Sequence, residues 1–179
     1  MTAYPARFSP CRQAGTCPPF VPGLLAALFM TLSSQVLAAG PGLQAFGPTS
    51  LQQIAKQQGK HSYWLVLWDL ECGYCLQSMK NLAQVQKTHP GLRIVTVATD
   101  PIEQQEALQQ RLASIGLKSS AWAFGQASEP ALRYAIDPAW RGEKPRAYRY
   151  APGQARQVFV GVLDESRILT PPAQTDTPR

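Results

Sequence analysis

An apolar run at residues 62–70 (SYWLVLWDL) leads directly into Cys72-Gly73-Tyr74-Cys75. The run is rich in aromatic and branched side chains, which is typical of a strand buried on both faces in a sheet that helices cover on each side. Apolar residues then recur at near-helical spacing to about Lys87. The pattern predicts a buried strand, a turn that carries both cysteines, and an amphipathic helix.

Further elements follow from ordinary boundary signals. Residues 40–48 are interpreted as a linker or an entering edge strand. Thr49, Asp100 and Ser128 are predicted helix N-caps, and Gly59 and Gly116 are predicted helix ends. Further strands are predicted at 92–98, 121–124 (a short edge strand), 146–150 and 156–162, with helices at about 49–59, 100–116, 128–136 and 164–169. The order β-α-β-α with a closing β-hairpin predicts an α/β domain.

The N-terminal residues 1–38 are predicted to be a signal peptide. Arg7 and Arg12 precede an apolar stretch at residues 20–32, and Val36-Leu37-Ala38 suits cleavage after Ala38. The stretch is shorter than the ~20 residues that a membrane-spanning helix needs. We therefore expect export to the periplasm of a bacterium, with an uncleaved membrane anchor as the alternative.

The distribution of charge and the number of cysteines limit the kinds of partner and site that are expected. The chain has 17 basic and 11 acidic residues, and its densest basic group, residues 141–149, contains no run of Lys or Arg. A nucleic-acid partner is not expected, since such a site needs more clustering. Cys11 and Cys17 would be removed with the leader, which leaves Cys72 and Cys75 in an oxidising compartment.

Cys72 and Cys75 are close enough in sequence to form a disulfide and to act as a redox couple. At a helix N-terminus, unpaired backbone N–H groups and the helix dipole favour the thiolate of Cys72. A thiolate attacks a substrate disulfide, and the second thiol resolves the mixed disulfide that forms. We assign Cys72 as the nucleophile and Cys75 as the resolving thiol.

Other uses of the cysteine pair are less favoured. A structural disulfide across so small a loop adds little entropic stabilisation. A zinc site would need His61 and His89 to complete four ligands. However, His61 lies before the predicted strand and His89 after the predicted helix, each at the end of its element opposite to the cysteines. Copper chaperones with a CxxxC motif have a longer spacing. We expect neither a metal nor a cofactor.

The segment Trp68 to Cys75 (WDLECGYC) resembles the active-site segment of the thioredoxin-like superfamily, and Lys144-Pro145-Arg146 before a strand is similar as well. The resemblance covers about residues 45–169 and implies a thioredoxin-like fold, a central mixed β-sheet flanked by helices, over residues 49–169. It also implies that Pro145 is cis and packs against the disulfide, with Lys144 and Arg146 flanking a substrate groove. Trp68 is either a core aromatic or a shield beside the disulfide.

The departures from the thioredoxin pattern are informative. Glu71 stands where thioredoxins carry Trp, and Val66 stands in place of a buried Asp. Gly73 and Tyr74 match the dipeptide of the periplasmic disulfide isomerase, while residues 140–153 resemble membrane-tethered periplasmic reductases that serve cytochrome c maturation. Lys144 places a cation where it would favour a thiolate, and Glu71 opposes it.

These features predict an exported enzyme that exchanges disulfides with periplasmic proteins, together with a membrane or periplasmic thiol redox partner. The direction of exchange stays open. The alternative is a thioredoxin-like binding or assembly module of an envelope or secretion apparatus, with little turnover. A monomer is expected because only about ten residues precede the first helix of the mature chain, too few for the isomerase's dimerisation domain. Residues 170–179 are predicted to be a disordered tail.

Overall fold

The computed structural model describes residues 42–170. The predicted signal peptide and nearly all of the predicted tail lie outside them. The sheet has six strands in the order β1-β4-β3-β2-β5-β6. The strands are β1 Gln44–Phe46, β2 Tyr63–Trp68, β3 Ile94–Pro101, β4 Ser120–Phe124, β5 Arg146–Tyr150 and β6 Gln157–Val160. The helices are α1 Ser50–Gln58, α2 Gly73–Thr88, α3 Gln105–Ile115, α4 Glu129–Ile136 and α5 Glu165–Leu169.

The sheet is mixed, as predicted. β1, β4, β3 and β2 are parallel, while β5 runs antiparallel to β2 and β6 antiparallel to β5. Strand β2 lies in the middle, between β3 and β5, and all six of its residues are buried. This position explains its unbroken apolar sequence, since neither face of the strand meets water.

Side chains alternate along β2 between two apolar cores, one on each face of the sheet. On one face Trp64, Val66 and Trp68 join a core that includes Met79 of α2 and Leu108 of α3. On the other face Leu65 and Leu67 join a core that contains Ile54 of α1 and Leu132 of α4. The C-terminal end of β2, which leads into the cysteine pair, is thus held by packing on both sides.

The edge of the sheet confirms one prediction and corrects another. The segment 40–48, interpreted as a linker or an entering edge strand, contains β1, so the sheet begins before residue 49. Gln44 and Phe46 pair with Trp122 and Phe124. Strand β4, predicted to be an edge strand, therefore lies inside the sheet, between β1 and β3.

Two of the three predicted N-cap residues lie at N-cap positions, and the third does not. Thr49 and Ser128 do occupy N-cap positions, but neither side chain forms a capping hydrogen bond. Asp100 caps no helix: β3 continues to Pro101, a short 3-10 turn follows, and α3 begins at Gln105. The carboxylate of Asp100 instead accepts a hydrogen bond from the backbone N–H of Leu70, at 3.1 Å. The side chain thus supports the loop before the cysteines.

The predicted end of α3 is confirmed at Gly116, which has a φ of 71°. This is the left-handed conformation that glycine adopts without a steric penalty. At the C-terminal end of the domain, Asp164 caps α5 by accepting a hydrogen bond from the N–H of Arg167 at 2.9 Å. Leu163, just before this cap, is bonded to α2 through Ser78 and Asn81.

Candidate active site

Cys72 and Cys75 form a disulfide at the first turn of α2. Cys72 occupies the N-cap position, and its sulfur accepts a hydrogen bond from the backbone N–H of Cys75 at 3.2 Å. The side chain of Cys75 is fully buried in the core, whereas Cys72 is only partly buried. The two sulfur atoms are therefore inequivalent: the first is accessible and lies in the field of the helix N-terminus, and the second is enclosed.

Asp69 holds the turn before Cys72. One of its carboxylate oxygens, Oδ1, accepts hydrogen bonds from the backbone N–H of Cys72 at 2.7 Å and of Glu71 at 3.1 Å. An Asp that accepts from backbone N–H groups two and three residues later forms a local turn of a familiar kind. Asp69 lies within the motif that the sequence analysis singled out, but it was not among the predicted site residues. Its spacing before a helix start was the signal that could have identified it.

The ammonium group of Lys144 contacts the other carboxylate oxygen of Asp69, Oδ2, in a partly buried salt bridge. It also donates a hydrogen bond to Oγ1 of Thr99 at 2.9 Å. The predicted cation near the cysteines is thus present, but Asp69 compensates its charge. The peptide bond between Lys144 and Pro145 is cis, as expected.

Arg146 was predicted to flank a substrate groove, but the structure buries its side chain. Its side chain is only 8% exposed, and it is paired with Asp137 at 2.9 Å and with Glu143. Its Nε also donates a hydrogen bond to the hydroxyl of Tyr148 at 2.6 Å. The guanidinium therefore forms ion pairs and a hydrogen bond within the domain. The sequence showed only a basic residue beside a proline, and the buried acid that receives Arg146 lies in a different element.

The remaining predicted site residues lie around the disulfide turn in two environments. Trp68 is fully buried in the core that also contains Cys75. Glu71 and Gly73 are exposed, and Tyr74 is 74% exposed at the start of α2. The surface next to Cys72 thus offers one large aromatic side chain and one carboxylate to an approaching molecule.

Asp100 adds a second carboxylate below the turn. Burial raises its pKa above the ordinary value for an aspartate, and the charge of Asp69 acts in the same direction. The hydrogen bond from the backbone N–H of Leu70 and the charge of Lys144 partly counteract this shift. Asp69, Asp100 and Lys144 therefore form one electrostatically coupled group next to the cysteines.

Neither a metal site nor a membrane span is found within residues 42–170. No three His, Cys, Asp or Glu side chains in this part of the chain are grouped so that they could hold an ion. His61 and His89 are both exposed. None of the described helices is long and apolar enough to cross a bilayer.

Comparison with known proteins rests on structure alone, because neither a protein-family model nor a curated protein matches the sequence. A thiol:disulfide interchange protein of the thioredoxin family from Chlorobium tepidum is 20% identical, with a TM-score of 0.50 over 63% of this chain and 78% of that one. A secreted disulfide oxidoreductase from Mycobacterium tuberculosis, homologous to E. coli DsbE, is 17% identical with a TM-score of 0.46, covering 58% and 72% of the two chains. StoA from Bacillus subtilis is 14% identical with a TM-score of 0.44, covering 59% and 77%.

In this chain the fold is a mixed sheet with helices on both faces and the cysteine pair at the start of α2, and it is similar to the fold of the Chlorobium tepidum structure. At this level of identity the likeness concerns the fold. The described residues adopt a thioredoxin-like fold in which Cys72 and Cys75 form a CxxC disulfide pair.

Proposed function

We propose that this protein is a thiol–disulfide oxidoreductase that acts on exported proteins, with Cys72 as the nucleophile and Cys75 as the resolving thiol. The observation that carries the proposal is the asymmetry of the disulfide. One sulfur is accessible at a helix N-terminus, and the other is fully buried. A disulfide that only stabilised the fold would not need one partly exposed cysteine placed where a thiolate is favoured.

The chemistry proceeds by two thiol–disulfide exchanges. In the reducing direction, the Cys72 thiolate attacks one sulfur of a substrate disulfide, and the other substrate sulfur leaves as a thiolate. The Cys75 thiol then loses its proton and attacks the Cys72 sulfur, which releases the second substrate thiolate. Two electrons have passed to the substrate, and Cys72 and Cys75 are again a disulfide. In the oxidising direction the same steps run in reverse.

Insulin reduction tests the proposed activity. We expect the protein with residues 1–38 removed to accelerate the precipitation of insulin by dithiothreitol. The double variant that carries both Cys72→Ser and Cys75→Ser should give only the uncatalysed rate. Circular dichroism of both proteins controls for folding. A wild-type protein that is folded but does not accelerate the reaction would refute the oxidoreductase and favour a binding or assembly module.

The reduction potential of the Cys72–Cys75 pair indicates the direction of disulfide exchange: about −270 mV is typical of a reductase and about −120 mV of an oxidant.

We place the activity in the periplasm, where a membrane or periplasmic thiol partner would regenerate the cysteine pair. Two features support this location: the predicted signal peptide, and the two cysteines, close enough to form a disulfide, that remain after its removal. We expect expression in a bacterium to give a periplasmic protein that begins near Ala39. Intact-mass measurement of the periplasmic and membrane fractions tests this, and a full-length product in the membrane fraction would contradict it.

A further inference from the structure

Asp69 and Lys144 join two segments that lie 75 residues apart. On one side, Oδ1 of Asp69 accepts the N–H of Cys72 at 2.7 Å. On the other side, the Lys144 ammonium contacts Oδ2 of Asp69 and donates to Thr99 at 2.9 Å. The side chains of Lys144 and Asp69 are only 22% and 20% exposed, so solvent screens this pair less than a surface pair. We call these two residues the Asp69–Lys144 bridge.

We infer that the bridge sets the reactivity of Cys72, with Asp69 as a positioning residue that also compensates the charge of Lys144. This inference rests on the proposed redox function and deepens it. An uncompensated ammonium next to the cysteine turn would stabilise a Cys72 thiolate, and an uncompensated carboxylate would destabilise it. Paired, the two charges largely cancel, and the thiolate depends mainly on the backbone N–H groups of α2.

The other charged groups around the turn do not reproduce this arrangement. Glu71 lies in the turn itself, but it is exposed and contributes its backbone N–H, not its carboxylate, to Asp69. Asp100 reaches the turn from β3 and accepts the N–H of Leu70. Of these acids, Asp69 contacts both the Cys72 backbone and the cation from the loop before β5.

The effect on the redox equilibrium follows from the half-reaction. At neutral pH the disulfide takes up two electrons and one proton to give a Cys72 thiolate and a Cys75 thiol. A group that stabilises the thiolate therefore stabilises the reduced form and makes the protein a stronger oxidant. Removing the negative member of the bridge and removing the positive member should change the potential in opposite directions.

The test compares Asp69→Asn with Lys144→Met. Asparagine keeps an oxygen that can accept the N–H of Cys72 but removes the charge, so Lys144 loses the carboxylate that it contacts directly and keeps only the charge of Asp100 nearby. We expect the equilibrium constant for oxidation of the cysteine pair by glutathione disulfide to fall about tenfold, which is about 30 mV towards a stronger oxidant. For Lys144→Met we expect a change of about the same size in the opposite direction. The pH at which Cys72 is half-alkylated at its maximal rate should fall in the first variant and rise in the second.

Glu71→Gln is the matched control, since it makes the same carboxylate-to-amide change one residue before Cys72 at an exposed position. We expect it to change the equilibrium less than threefold. Equal effects of Glu71→Gln and Asp69→Asn, or changes of the same sign in the two bridge variants, would overturn the inference. If Asp69→Asn does not fold, the direction of the Lys144→Met change decides alone. An inactive wild-type protein would refute the proposed function, but the potentials would still report on the bridge.

Discussion

In Cys75→Ser we expect the remaining thiol, Cys72, to react with iodoacetamide at pH 7 at least about 100-fold faster than Cys75 reacts in Cys72→Ser. Two differences between the sulfur atoms act together. Cys72 is accessible at the N-cap of α2, whereas Cys75 is fully buried. The helix N-terminus also favours the Cys72 thiolate, so its alkylation should have a midpoint below the value of about 8.5 for a free cysteine.

The same pair of variants distinguishes nucleophile from resolving thiol with a protein substrate. Cys75→Ser should accumulate a mixed disulfide through Cys72, because no second thiol is present to release it. Cys72→Ser should accumulate very little. Alkylation in 6 M guanidinium chloride is the control, since unfolding removes both burial and the helix and should bring the two rates together. A faster reaction of Cys75 in the folded variants would reverse the assignment.

The second large effect is expected at Asp137, which lies at the end of α4 and is only 3% exposed at its side chain. Its Oδ2 accepts hydrogen bonds from Arg146 at 2.9 Å and from the Tyr148 hydroxyl at 3.1 Å. Its Oδ1 pairs with Arg156 at 2.7 Å and accepts the N–H of Ala139 at 3.0 Å. This one carboxylate thus compensates two arginines.

Asp137→Ala should lower the free energy of unfolding by about 3–5 kcal/mol, the usual cost of leaving a buried charge without its partner. Arg146 has Glu143 as a second partner, which favours the lower end of this range. Urea unfolding measures the change. Glu129→Ala is the control on the same helix: Glu129 is exposed and Arg133, its ion-pair partner, is partly exposed, so we expect a loss of at most about 1 kcal/mol. Equal losses in the two variants would contradict the structural role of Asp137.

The pH dependence of stability offers an independent check on Asp137. Burial by itself would raise the pKa of this carboxyl, but the hydrogen bonds from Ala139, Arg146 and Tyr148 and the charge of Arg156 outweigh it and lower the pKa. A lowered pKa contributes stability above the unfolded-state value of about 3.9, and the contribution is lost as the pH falls through the folded-state value. We expect Asp137→Asn to show a flatter decline in unfolding free energy below about pH 5 than the wild-type protein. An unchanged slope would contradict this.

Local sequence predicted the parts of the domain that depend on neighbouring residues. The apolar run before Cys72 identified β2, because a strand covered on both faces contains almost no polar side chain. The position of Cys72 at the start of α2 followed from the helical spacing after it. The cis peptide bond before Pro145 came from the resemblance to the thioredoxin-like superfamily, and the structure has it.

Contacts between distant segments were decided only by the tertiary structure. Nothing near Gln44–Phe46 in the sequence shows that this strand pairs with β4, since the strand is short and its partner lies more than 70 residues away. The burial of Arg146, which was predicted to flank a substrate groove, could not be foreseen because its acid partner, Asp137, lies in another element. Asp69 likewise acquires its connection to Lys144 only when the loop before β5 approaches the end of β2. Periodicity and capping preferences act over a few residues, whereas the pairing of charges depends on which elements the folded sheet brings side by side.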